Sequence, residues 1–147
     1  MSLKEKLQED WKIALKSKDR FKTNVINLAR AAILQAEKVD NSILDDEAIL
    51  AIIAREVKQR REANLEFEKG NRQDLVEQNN KEIEILLEYL PQQLSNQEIA
   101  DIIKDAVKET GATSARDMGK VMSAIKPKVK GRADGKLVSD LVKQILS

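Results

Sequence analysis

Six basic side chains fall within "DMGKVMSAIKPKVKGRADGK", residues 117–136: Lys120, Lys126, Lys128, Lys130, Arg132 and Lys136, against Asp117 and Asp134 alone. Ammonium and guanidinium groups at this density suit polyanions, above all nucleic-acid phosphates, whose counterions they displace. The same stretch holds Pro127 and Gly131. Proline has no N–H to donate and disfavours the α conformation before it, while glycine tolerates a positive φ. The spacing therefore predicts a helix ending near Lys126, a turn at Gly131, and a last helix capped by the Asp134 side chain. Free N–H groups at that helix start would favour a nearby anion. Val121, Met122, Ile125 and Val129 would pack inward and leave the basic side chains on one outer surface. A solvated helix break, with lysines kept in water for solubility, accounts for the same composition.

Other chemistry is narrowed by what the chain lacks. It has no cysteine and no histidine, which removes thiolate nucleophiles, disulfides, the commonest zinc ligand and the usual general base near neutral pH. No catalytic residue, metal ligand or cofactor is assigned, and a binding or adaptor protein is expected. "GRADGKL" is not a phosphate-binding P-loop: that motif needs four residues between its glycines and Ser or Thr after the lysine. Here three residues intervene and Leu137 follows Lys136. Glu82, Glu84 and Glu88 are read as a solvated helix face, and Trp11 as a core or helix–helix contact. Aromatic residues make up 3% of the chain and none lies in the basic stretch, so a stacking platform for single strands is not expected. A folded RNA, read by shape and phosphates, fits better.

The elements that must position these residues are helices. Apolar residues recur at spacings of three and four in successive segments: Leu3, Leu7, Trp11, Ala14 and Leu15; then Phe21, Val25, Leu28, Ala29, Ala32, Ile33 and Ala36. A long helix from about Asp46 to Lys69 carries Ile49, Ile52, Ile53, Val57 and Phe67, with Glu56 and Arg60 spaced for an ion pair on its outer face. A fourth helix ends at Pro91. Ser95 with Glu98 reads as a capping box opening the next helix, and Gly111 as its C-terminal cap. The prediction is an all-α protein in two parts, a helical N-terminal domain over 1–94 and a small helical tail domain over 95–147. Residues 1–94 carry a net −2 and residues 95–147 a net +3. No run approaches the roughly 18 apolar residues of a membrane span, and "MSLKEKLQED" has no apolar signal region. A cytoplasmic protein without a membrane partner is expected.

"MGKVMSAIKPKVKGRADGKLV", with "KQRREANLEFEKGNRQDL" and "EYLPQQLS" upstream, resembles the YqeY family over essentially the whole chain. The family is similar to the C-terminal tail of the B subunit of the tRNA-dependent amidotransferase that converts Glu-tRNA(Gln) to Gln-tRNA(Gln). A related helical module is appended to some glutaminyl-tRNA synthetases. The resemblance implies a helical N-terminal part, a small helical tail, and tRNA contact by the tail without the catalytic machinery. Lys120, Lys128, Lys130, Gly131, Arg132, Asp134, Gly135 and Lys136 match the family's basic motif. Ser123 stands where a glycine is expected, and Lys126 where an apolar residue is expected.

These observations lead to a non-catalytic tRNA-binding accessory protein, its nucleic-acid-binding residues being Lys120, Lys126, Lys128, Lys130, Gly131, Arg132 and Lys136. Two alternatives remain open. One is an adaptor that docks on an aminoacyl-tRNA synthetase or amidotransferase. The other is an amidotransferase component, the carbon–nitrogen ligase label that family transfer would attach.

Overall fold

A computed structural model describes all residues, Met1–Ser147, as seven α-helices and one 3₁₀ turn, with no strand. The helices are α1 (Leu3–Lys16), α2 (Arg20–Asp40), α3 (Asp46–Lys69), α4 (Gln73–Leu87), α5 (Asn96–Thr110), α6 (Met118–Val129) and α7 (Gly135–Leu146); Ala115–Asp117 forms the 3₁₀ turn. Their starts are fixed by short polar side chains that accept otherwise orphaned N–H groups. Ser2 accepts from Glu5, Asp19 from Lys22, and Asp45 from Ala48. Ser95 and Glu98 complete the reciprocal capping box, each bond being 3.1 Å. Asn41 ends α2 in the left-handed region at φ 52, a conformation asparagine tolerates better than most residues.

The chain packs as two compact units, Met1–Leu90 and Pro91–Ser147. In the first, Leu7, Ile26, Ile33, Ile49, Ile53 and Leu86 are at most 2% exposed and form one core from α1 to α4. Burying each such side chain contributes about 1.5–3 kcal/mol. In the second, Ile99, Ile103, Val121, Ile125, Val138 and Val142 join α5, α6 and α7.

Three surface expectations for the first unit are corrected. Arg60 meets Glu56 at 3.3 Å, but it also reaches Glu82 of α4 at 3.7 Å, and all three side chains are 14–20% exposed. The pair therefore faces the neighbouring helix rather than the outside, and Glu82 leaves the solvated face where Glu84 and Glu88 remain. Bonds from Asn79 to the Arg60 carbonyl and from Asn64 to Asn80 carry the same polar contact along α3 and α4. On α2 the core takes Val25, Ile26, Ala29 and Ile33, while Leu28 stays 54% exposed. The apolar face of α2 is wider than one core can cover.

Tyr89 closes the first unit. Its ring is buried and its hydroxyl donates to the Asp10 carboxylate at 2.5 Å, joining residues 79 positions apart. The Lys6 ammonium lies 5.5 Å from the ring centroid. Burial, then the bond to Asp10, pushes the Tyr89 hydroxyl above its ordinary value of 10.0. The neutral phenol is the form that stabilises the fold, so its contribution is complete below pH 10 and is lost as pH rises beyond that value. Tyr89→Phe should cost about 1.5–3 kcal/mol in urea unfolding near neutral pH, the range for a hydrogen bond to a charged group. The wild-type protein should also lose stability above pH 10 more steeply than the Phe variant.

Candidate nucleic-acid interface

Helix α6 does not stop at Lys126. It runs one further turn, through Pro127 to Val129, and the Lys130 N–H bonds to the Lys126 carbonyl at 3.1 Å. Proline removes the bond that position 127 would have given to Ser123 and its ring crowds that carbonyl, but both residues are exposed, so water can serve it. In return Val129 joins Val121 and Ile125 in the core. The continuation changes the electrostatics. At 3.6 residues per turn, two positions are about 200° apart, so Lys126 and Lys128 point to opposite sides of α6. The expectation of one outer basic surface is corrected accordingly.

Lys126 and Lys130, at i,i+4, flank an open groove of about 400 Å³. Its floor includes Met122, Ile125, Val129, Ala133 and Val138, and Gly135 lines its α7 end. Lys120 is exposed and lies 3.9 Å from Asp117 one turn earlier. The Thr113 N–H, with Lys120 adding to it, holds the Asp117 carboxyl below the ordinary carboxylate range. Lys126, Lys128 and Lys136 are exposed and have no ion pair or hydrogen bond within the chain. Lys126 and Lys128 sit in the last turn of α6, where the helix dipole favours a cation. Lys136 sits in the first turn of α7, where the dipole opposes one. No ion pair within the chain offsets that placement.

Two members of the basic motif are occupied with structure. Gly131 has φ 73, and its carbonyl accepts the Gln93 side-chain amide at 2.9 Å. The Arg132 carbonyl accepts the Leu94 N–H at 2.8 Å, and the Arg132 guanidinium donates to the Gln92 carbonyl at 3.1 Å. A reversal between α6 and α7 is thus fastened to the Pro91–Leu94 segment before α5. The same guanidinium helps keep the Glu98 carboxyl below its usual range, the larger causes being the N–H and hydroxyl of Ser95. Asp134 occupies the N-cap position of α7, but its side chain accepts no capping bond, contrary to expectation. Gln92, Gln93 and Leu94 were outside the candidate set. Nothing local in "LPQQLS" signals a partner some forty residues away, and only folding brings it beside "KGRA". No three His, Cys, Asp or Glu side chains cluster as metal ligands would.

Residues 4–146 match the family described as Yqey-like protein. The chain belongs to that family. Among relatives of this YqeY-like chain, a Pyrenophora tritici-repentis protein named "Altered inheritance of mitochondria protein 41, mitochondrial" is 33% identical, the alignment covering 96% of this chain and 79% of the relative. An uncharacterised Schizosaccharomyces pombe protein is 26% identical over 83 residues, covering 56% of this chain and 68% of its own length. The first relative is named for the mitochondrion, so it lends the cytoplasmic expectation no support. No helix here is long and apolar enough to cross a membrane.

The geometry separates the glycines of the YqeY-like motif. Gly131→Ala should cost about 1–2 kcal/mol, because a Cβ opposes the left-handed conformation. Gly135→Ala, at a helical position with no atom within 4 Å of the added Cβ, should be neutral or stabilise slightly. Thermal unfolding of the two variants checks the contrast. Arg132→Ala should lower the stability of the second unit by about 0.5–1.5 kcal/mol, the net range for a hydrogen bond whose exposed Gln92 carbonyl water can serve instead.

Proposed function

We propose that this YqeY-like protein is a non-catalytic accessory factor that binds tRNA phosphates through the α6–α7 region of its second unit, acting in the cytoplasm. The observation that carries the reading is the grouping of three unpaired ammonium groups, Lys126, Lys128 and Lys136, within one short basic stretch, with Lys136 placed against its own helix dipole. A cation that stands against its helix dipole with no ion pair inside the chain suits an external anion. The net positive charge of the tail and the family's similarity to a tRNA-contacting amidotransferase tail support the same reading. Arg132 and Gly131 then act as positioning residues rather than phosphate contacts. Because Lys126 and Lys128 face apart, a curved or grooved phosphate surface suits them better than a flat one.

Binding to a bulk tRNA pool, measured across a salt series, tests this. Wild type should bind with a steep inverse salt dependence, and the combined Lys126→Ala, Lys128→Ala and Lys136→Ala variant should bind more weakly at low salt. Each lost phosphate contact should reduce the log–log slope by about one. Binding that is absent at low salt, or indifferent to all three changes, overturns the proposal. The apolar floor beside Lys126 favours one second reading, an adaptor whose groove takes an apolar side chain of a synthetase or amidotransferase. A complex that survives nuclease and is lost with Met122→Asp, yet kept in the lysine variant, would select it.

A further inference from the structure

In the first unit, α2 carries more apolar surface than its core uses. Leu28 and Val39 are 54% and 74% exposed, and Ile43 just beyond the helix is 83% exposed. From Leu28 the spacing runs through Ala32 and Gln35 to Val39 in steps of four, three and four. That is the seam by which one helix packs along another. The seam opens onto a groove of about 440 Å³ between α2 and α3, where Ala32, Ala36, Val39 and Ile52 provide the apolar lining. Small side chains at Ala32 and Ala36 leave room for another helix to approach.

The rim indicates what covers the groove. Asp40 and Arg55 both line it and are exposed, and neither has an ion pair or hydrogen bond within the chain. Asp40 is the last residue of α2, where the helix dipole disfavours a carboxylate. A rim with one unpaired acid and one unpaired base is complementary to itself when turned by a two-fold axis. The Asp40 of each copy then meets the Arg55 of the other, and the exposed Val39 surfaces come together near the axis. We propose that the occupant is a second copy of this chain, held by apolar contact along α2 and by two symmetry-related Asp40–Arg55 pairs.

Sedimentation velocity across a concentration series tests this, with far-UV circular dichroism verifying the fold of each variant. The wild type should show reversible monomer–dimer exchange. Val39→Glu, at a position already in water, should raise the dissociation constant at least about tenfold. Asp40→Arg and Arg55→Asp should each weaken self-association, because each sets like charges across the axis. Mixing these two variants should restore a dimer, since one copy then offers two bases and the other two acids. Helix stability cannot produce that rescue. A wild type that stays monomeric at every concentration, or a mixture no more associated than its components, overturns the proposal and leaves the groove to a different protein.

Discussion

The second unit rests on one backbone reversal. Gly131, in the left-handed region, turns the chain between α6 and α7. Hydrogen bonds from Gln93, Leu94 and the Arg132 guanidinium then fasten the reversal to the segment before α5. A unit this small has a limited core and no disulfide, so polar ties between segments distant in sequence matter more than they would in a larger domain. They set where α7 begins. The course of α7 in turn decides where Lys136 stands and how wide the groove beside Lys126 opens.

Burial and electrostatics pull differently along α6. The core gains Val129 only if the helix continues through Pro127, and the exposed Ser123 carbonyl keeps the cost of the missing N–H small. The result distributes the basic residues around the helix instead of gathering them. Some of that charge complements the helix end, as Lys126 and Lys128 do in the last turn. Arg132 is tied to a carbonyl. Lys136 is the member that stands against its helix dipole without an ion pair, and for that reason it is the most informative about an external anion.

Helix periodicity, caps and turn residues were legible in the sequence because they are local. The span of α3, the Ser95–Glu98 box and the left-handed Gly111 all follow from residues within a few positions of one another. Three features were not legible, each for a tertiary reason. The reach of α6 past Pro127 is decided by Val129 finding a core. The exposure of Leu28 follows from an apolar face on α2 that is broader than its neighbours can cover. The inward turn of Arg60 depends on Glu82, a residue of another helix. For the candidate site, the basic stretch could be found by composition alone. The division of labour inside it could not, because the partners of Gly131 and Arg132 lie in "PQQL".

The central claim is that Lys126, Lys128 and Lys136 contact tRNA phosphates while Gly131 and Arg132 hold them in place. NMR of the lysine Cε–Hε methylene signals of the folded protein during titration with tRNA tests it most directly. The account predicts that the Lys126, Lys128 and Lys136 signals move together at low salt and return as salt is raised, while those of lysines in the first unit stay fixed. Signals that move first or only in the first unit, or not at all, would contradict it.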